Sequence, residues 1–187
     1  MEVIEEALDG VLLLKPRIFK DERGYFFESF NKSIFEKIGI KHDFVQDNQS
    51  LSQKNVLRGL HFQVEPHAQG KLIRCVSGAV LDVAVDVRRD SPHYGKYYKT
   101  VISADNQYSL WIPPGFAHGF LTLENDTIFS YKCTNLYNKA SERSILWNDN
   151  DINIDWEIDN PIISEKDKEG MTFSEYTNQL YENKTID

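Results

Sequence analysis

The feature that most constrains the fold is a two-residue alternation of apolar and other side chains that recurs along most of the chain. Its cleanest example is residues 80–87, where leucine or valine occupies every odd position and Asp82 and Asp86 lie among the even ones. This period is typical of a β-strand with one buried face. Similar runs predict further strands at Tyr25–Phe30, Phe44–Gln49, Val56–Gln63, Lys71–Val76, Tyr97–Ser103, Tyr108–Ile112, Gly119–Leu123 and Thr127–Thr134.

Many short strands separated by turn sequences predict an all-β sandwich or barrel. Only two segments have a helical pattern. Asn31–Ile38 precedes Gly39 and contains a predicted capping box at residues 33–36, and Thr172–Asn183 lies near the C-terminus. Because 187 residues is a normal length for one domain, we expect a single domain over residues 1–187 with a peripheral tail from about residue 170.

Charge and composition limit the partners of such a domain. The net charge of -8 argues against nucleic acid, since phosphate binding needs a basic surface. No apolar run approaches membrane-spanning length, and the acidic segment Met1–Glu6 lacks the basic region of a secretory signal. We therefore expect a cytoplasmic protein that binds neither nucleic acid nor membranes. Cys75 and Cys133 lie in apolar runs and are expected to be reduced core thiols.

Two histidine segments about fifty residues apart, Arg58–Gln63 and Pro113–Phe120, resemble the two motifs of a cupin barrel. Metal-binding cupins have a second histidine at the position of Gln63, and His61 with His118 alone is too small a ligand set for a tight transition-metal site. The resemblance implies a cupin-type jelly-roll barrel with a few short peripheral helices. We expect it to need no metal and no cofactor, which leaves its histidines free to transfer protons.

Six segments that span nearly the whole chain can be compared with a known enzyme family. They are Asp21–Phe30, Val45–Asn48, Leu57–Gln63, Leu110–Phe120, Tyr131–Thr134 and Ser164–Asp167. In sequence and in order, these segments resemble the dTDP-4-dehydrorhamnose 3,5-epimerase family. The resemblance implies a metal-free homodimer that inverts C3 and C5 of dTDP-4-dehydro-6-deoxy-D-glucose to give dTDP-4-dehydro-L-rhamnose.

Inversion of a carbon beside a ketone requires a base, stabilisation of the enolate, and an acid on the opposite face of the sugar. His61 is the natural base, and the resemblance pairs it with Asp167, which would fix the tautomer of the imidazole. The resemblance also makes Tyr131 the acid. Lys71 can place a positive charge near the enolate oxygen.

Further substrate contacts are implied by the resemblance. Arg23 and Arg58 would bind the diphosphate, because a guanidinium can hold two phosphate oxygens at once. Without the resemblance, Glu28, Glu142 and Lys166 would be interpreted as ordinary surface charges. The remaining predicted contacts to the nucleoside and at the mouth of the pocket are Glu28, Gln46, Asp47, Asn48, His118, Glu142 and Lys166.

Arg58 and His61 present a conflict in register. They are three positions apart, so strict alternation places them on opposite faces of one strand. Both can reach one pocket only if the strand is bulged or kinked, and Gly59 is the expected place.

Several alternatives remain open at this point. Tyr137 could replace Tyr131 as the acid, and His67, in the loop 64–70, has no assigned role beyond ordering the pocket rim. The chain could be a single-centre epimerase of a related nucleotide deoxysugar, a metal-dependent cupin oxygenase, or a sugar-binding barrel without activity. The implied homodimer could exchange an N-terminal strand between its subunits, and Glu2–Leu14 is the segment that could serve.

Overall fold

The computed structural model describes residues 1–182 and contains mostly β-structure. Three short helices accompany the strands: α1 (Lys32–Lys37), α2 (Glu165–Lys168) and α3 (Phe173–Glu182). The strands are β1 (Glu2–Ala7), β2 (Val11–Lys15), β3 (Phe19–Asp21), β4 (Gly24–Phe26), β5 (Gln46–Ser52), β6 (Leu57–Gln63), β7 (Lys71–Ser77), β8 (Ala79–Asp86), β9 (Tyr97–Ser103), β10 (Ser109–Ile112), β11 (Phe116–Thr122), β12 (Thr127–Cys133) and β13 (Glu142–Ser144).

Two antiparallel sheets form the body of the molecule. One has the strand order β1-β2-β10-β7-β12-β5, and the other has the order β13-β6-β11-β8-β9. Most strands that are consecutive in the chain from β5 onward, such as β7 and β8, belong to different sheets, so the chain crosses repeatedly between the two layers. The separate hairpin β3-β4 belongs to neither sheet. The all-β, cupin-type jelly roll predicted from the sequence is therefore confirmed.

Apolar side chains from both sheets meet in the space between them. Ile73 and Phe129 come from the six-stranded sheet, while Ala84 and Phe120 come from the five-stranded sheet, and all four are buried in one cluster. The outer face of the six-stranded sheet has a second cluster, where Phe35 of α1 is buried. The inter-sheet cluster fixes the spacing of the layers that carry the site.

Strand β8 differs from the prediction of one buried face, because every one of its residues is buried. Val80 and Ala84 contribute to the core between the sheets. Leu81 and Val83 pack on the other side, in a cluster with Tyr176 of α3. The C-terminal segment thus covers the outer face of the five-stranded sheet, and the polar even positions of β8 point inward rather than to solvent.

The helices differ in detail from their predicted limits. The cap of α1 is Asn31, whose side chain accepts a hydrogen bond from the Ile34 amide at 3.3 Å, so the predicted capping box at residues 33–36 was wrong. Helix α3 occupies most of the predicted segment, and the predicted last residue, Asn183, lies outside the described residues. No helix within residues 1–182 has both the length and the apolar character needed to cross a membrane.

The predicted irregularity at Gly59 is present. His118 of β11 pairs with His61, but Phe120 pairs with Arg58, so β6 has one extra residue between the two pairs. Gly59 has φ of 120°, a backbone conformation that residues with a Cβ atom rarely adopt. The extra residue allows Arg58 and His61 to line the same cavity, which strict alternation would forbid.

We expect Gly59→Ala to lower the free energy of unfolding by about 4 kcal/mol or more. An added Cβ would lie 2.5 Å from the Gly119 Cα and 2.6 Å from the His118 carbonyl oxygen, and backbone cannot move aside cheaply. Gly24→Ala is the matched control, since Gly24 has φ of 121° but no atom within 4 Å of the added Cβ. It should cost only about 1–2 kcal/mol. Chemical denaturation of both variants measures the difference, and equal losses would contradict this account.

Candidate active site

A cleft between the two sheets contains most of the predicted site residues. It consists of two adjoining cavities of about 300 and 370 Å³ whose walls share Asn48, His61, Lys71 and Tyr131. The predicted residues that line one or both cavities are Gln46, Asn48, Arg58, His61, Lys71, His118, Tyr131, Glu142, Lys166 and Asp167.

His61 and Asp167 form a hydrogen-bonded pair on one wall. His61 lies on β6, and its Nε2 is 2.5 Å from Oδ1 of Asp167. Asp167 lies on α2, where its amide donates to the Ser164 hydroxyl at the start of the helix at 3.2 Å. Burial alone would raise the pKa of the Asp167 carboxyl, but the hydrogen bond and charge of His61 outweigh it and lower the pKa. An ionised Asp167 thus holds the Nε2–H tautomer, and Nδ1 is the nitrogen that can accept a proton.

Lys71 is the buried cation of the cleft. It begins β7, is 7% exposed, and donates from Nζ to the His61 carbonyl oxygen at 3.1 Å. Burial lowers the pKa of Lys71, and the neighbouring Cys133, Asp82 and Glu142 partly offset this effect. An ammonium has three donors, so Lys71 can also donate to an oxygen of a bound ligand.

Tyr131 faces this wall from the opposite sheet. It lies on β12 of the six-stranded sheet, whereas His61 belongs to the five-stranded sheet. Burial raises the pKa of Tyr131, although a hydrogen bond with Asn48 lowers it in part, so the phenol is protonated at neutral pH. A proton acceptor and a proton donor thus line one cavity from two facing sheets.

A second histidine–aspartate pair lies deeper in the cleft, and sequence reasoning missed half of it. His118 is 6% exposed, and its Nε2 lies 3.0 and 3.1 Å from the two carboxylate oxygens of Asp82. Burial lowers the pKa of His118, while the charge and hydrogen bond of Asp82 oppose the shift. The signal for Asp82 was its position in the middle of β8, where only it and the final residue, Asp86, are not apolar. The alternation alone assigned Asp82 to the polar face of the strand.

Gln63 occupies the position where metal-binding cupins have their second histidine, and its amide makes hydrogen bonds within the protein. It is 5% exposed and donates from Nε2 to two carbonyl oxygens of its own chain. Among residues 1–182, no group of three or more His, Cys, Asp or Glu side chains is placed to hold a metal ion.

Polar and charged groups form the mouth of the cleft. Lys166 contacts Glu142 at 2.6 Å, and the Tyr137 hydroxyl donates to the same carboxylate at 3.0 Å. Arg58 donates from Nε to the Ser52 hydroxyl at 3.1 Å. Arg58 and Lys166 supply the local positive charge that an anionic ligand would need on this acidic protein.

Three predicted residues do not line the cleft of their own chain. Arg23 is largely exposed at the tip of the β3-β4 hairpin, where it contacts Asp21 at 2.5 Å. Glu28 accepts a hydrogen bond from Asn31 at 3.0 Å, beside α1. Asp47 contacts Lys132 at 2.9 Å, and in β5 it alternates with the cleft-lining Gln46 and Asn48. Asp47 and Glu28 therefore lie toward the outer face of the six-stranded sheet.

The chain is similar to known proteins over almost its whole length. Residues 5–175 match the family described as dTDP-4-dehydrorhamnose 3,5-epimerase. A protein of that name from Shigella flexneri is 54% identical over 174 residues, which is 92% of this chain and 96% of the relative.

Solved structures have the same fold. The crystal structure of dTDP-4-dehydrorhamnose 3,5-epimerase from Elizabethkingia anophelis NUHP1 is 47% identical, with a TM-score of 0.90 and coverage of 94% of this chain and 97% of that one. The dTDP-6-deoxy-D-glucose-3,5-epimerase from Legionella pneumophila Philadelphia 1, solved in complex with dTDP-4-keto-L-rhamnose, is 42% identical. Its TM-score is 0.91, with coverage of 96% of both chains.

Proposed function

The chain belongs to the dTDP-4-dehydrorhamnose 3,5-epimerase family, and we propose that it is an isomerase that inverts C3 and C5 of dTDP-4-dehydro-6-deoxy-D-glucose. The product is dTDP-4-dehydro-L-rhamnose. The observation that carries this proposal is the position of His61 and Tyr131 on facing sheets of one cleft. Inversion needs proton removal on one face of the sugar and delivery on the other, and this arrangement supplies both.

In the first step, His61 takes the proton from a carbon next to the C4 ketone. The electron pair of the broken C–H bond forms a carbon–carbon double bond, and negative charge develops on the C4 oxygen. Lys71 donates to that oxygen, and the charge of Asp167 stabilises the imidazolium that His61 becomes. The close approach of Asp167 to His61 and the burial of Lys71 support these roles.

In the second step, Tyr131 donates its phenolic proton to the same carbon from the opposite face. The raised pKa of Tyr131 keeps the phenol protonated until this step. Since C3 and C5 both adjoin C4, a single enolate-stabilising group can serve both inversions. Proton exchange with water then restores His61 and Tyr131 for the next carbon.

Substrate binding is divided between two subunits in this proposal. Gln46, Asn48, Arg58, His118 and the pair Glu142–Lys166 would contact the nucleotide sugar from the chain that holds the cleft. Arg23, Glu28 and Asp47 lie away from the cleft of their own chain. They could contact the substrate only in the cleft of another subunit. We therefore propose a homodimer.

The exchanged segment in such a dimer would be shorter than Glu2–Leu14. Strand β2 is buried between β1 and β10, while β1 forms the exposed edge of the six-stranded sheet. An edge strand has unpaired backbone groups and can add to a second sheet. Light scattering of the purified protein at several concentrations would test the dimer.

We further propose that the enzyme is cytoplasmic and that its reaction needs no metal. The metal-independent reaction is supported by the donor set, because within residues 1–182 no group of three or more His, Cys, Asp or Glu side chains is placed to hold a metal ion. Elemental analysis of active protein tests this point. Stoichiometric iron, nickel or manganese would instead favour a cupin oxygenase.

Incubation with dTDP-4-dehydro-6-deoxy-D-glucose in deuterated water should introduce deuterium at both C3 and C5, as followed by NMR or mass spectrometry. Each reprotonation draws on a hydrogen that has exchanged with solvent, so each inverted centre becomes labelled. Label at one centre alone would establish a single-centre epimerase.

The Tyr131→Phe variant sharpens the same experiment. It lacks the proposed acid but keeps His61. Exchange of the substrate hydrogen with solvent should therefore continue in this variant, while formation of the inverted product is lost. If the variant inverted the substrate at the parental rate, Tyr137 rather than Tyr131 would be the acid.

A further inference from the structure

A buried glutamine connects two loops at the mouth of the cleft. Gln63 ends β6 and is 5% exposed. Its Nε2 donates to the carbonyl oxygens of His67 at 2.6 Å and Leu136 at 3.2 Å. Its Oε1 accepts a hydrogen bond from the Asn138 amide at 2.7 Å. One side chain therefore uses both ends of its amide to hold residues 64–70 and 134–141, here called the rim loops.

The rim loops are also joined directly to each other by polar contacts. These are His67 Nδ1 to Ser141 Oγ at 2.8 Å, His67 Nε2 to Asn138 Nδ2 at 3.3 Å, Gln69 Nε2 to the Asn135 carbonyl at 2.7 Å, and Asn135 Nδ2 to the Pro66 carbonyl at 3.2 Å. His67 thus has a structural role within the rim, and Gln63 is a buried side chain that ties the rim to the sheet carrying His61, in addition to the pairing of β13 with β6.

The second rim loop carries Tyr137 to the cleft. The Tyr137 amide donates to Oε1 of Gln46 at 2.9 Å, and its hydroxyl donates to Oε2 of Glu142 at 3.0 Å. Tyr137, Gln46 and Glu142 line the cavity of about 370 Å³ that also contains His61 and Lys71. The position of this loop therefore determines where an aromatic ring stands relative to the base and the cation.

We propose that Gln63 is a positioning residue, which fixes the rim loops so that Tyr137 holds the sugar ring against His61. This inference rests on the proposed epimerase function. An amide suits the position because two carbonyl oxygens need a donor while one N–H needs an acceptor. Among side chains of this length, a carboxylate would supply only acceptors and would face both carbonyl oxygens with negative charge.

Gln63→Glu tests the role of the amide with almost no change in shape. We expect kcat/KM at pH 8 to fall about tenfold to a hundredfold, as expected for a displacement of the bound sugar by about 1 Å. The introduced carboxyl is buried beside carbonyl oxygens, so its pKa should be raised. Lowering the pH should therefore protonate it, restore an O–H donor, and recover activity relative to the parent protein.

A double-mutant cycle tests whether Gln63 acts through Tyr137. Tyr137→Ala removes the ring, and Gln63→Glu in that background should cost less than threefold, because contacting or coupled residues are not additive. Full additivity, or a lower melting temperature with unchanged kcat/KM and no pH-dependent recovery, would overturn the proposal.

Gln53→Glu is the control for an added charge. Gln53 is exposed and donates to Asp126 at 2.8 Å, and it lines neither cavity of the cleft. Its kcat/KM should match that of the parent at every pH. An inactive parent protein in the same assay would refute the proposed function, whereas an active parent with an unaffected Gln63→Glu variant would refute only this inference.

Discussion

His61→Asn should lower kcat/KM about a hundredfold to ten-thousandfold while leaving the affinity for dTDP nearly unchanged. The range is that expected for loss of one general base. Asparagine keeps a polar group near Asp167, but it cannot accept a proton at neutral pH. Steady-state kinetics on the ketosugar measure the first quantity, and calorimetric titration with dTDP measures the second.

His42→Asn is the matched control, since His42 is exposed and its ring centroid lies 5.4 Å from that of Trp111 on the outside of the six-stranded sheet. Its activity should remain within about twofold of the parent, as surface substitutions are usually small in effect. A His61→Asn variant that retained more than a tenth of the parental kcat/KM would show that another group removes the proton. A sugar-binding barrel without activity would have no exchange to lose in either variant.

Lys71→Met should lower kcat/KM about a thousandfold. An ion pair at about 4 Å in an effective dielectric near 20 contributes about 4 kcal/mol. If that interaction forms only with the enolate, its loss appears almost entirely in the rate. Stability should respond differently, because methionine removes a buried charge whose desolvation disfavours folding. We therefore expect little change, or a gain, in the free energy of unfolding.

Kinetics and denaturation of the same Lys71→Met preparation separate these two effects. Lys96→Met, at an exposed position, serves as the control and should leave kcat/KM unaltered. A Lys71→Met variant that lost activity only in proportion to unfolded protein would argue for a structural lysine rather than an enolate-stabilising one.

Strand positions could be predicted from the sequence because the two-residue period is a local property. The predicted Tyr97–Ser103 coincides with β9, and Lys71–Val76 differs from β7 by one residue. The predicted Tyr25–Phe30, however, ends as a strand at Phe26. The choice of neighbours depends on contacts distant in sequence, so the pairing of β13 with β6 could not be read from either segment.

The site could be predicted in part for a similar reason. Arg58 and His61 are an odd number of positions apart, which a regular strand would place on opposite faces. This spacing can be read from the sequence, and it correctly located an extra residue near Gly59. Asp82 was missed because its strand looked half-exposed. Only the packing of Tyr176 and its neighbours on the other face shows that the polar side of β8 points inward. The charged run around Asp167 likewise gave no sign that its carboxylate is buried.

The pairing of His61 with Asp167 has a consequence for the synthesis of the protein on the ribosome. The two residues are 106 positions apart, and the carboxylate belongs to α2, which follows every strand of both sheets in the chain. A ribosome that has made β1 to β13 has therefore produced both walls of the cleft but not the group that orients its imidazole. If Asp167 has the proposed role, a chain that ends before α2 should therefore have no activity toward the ketosugar.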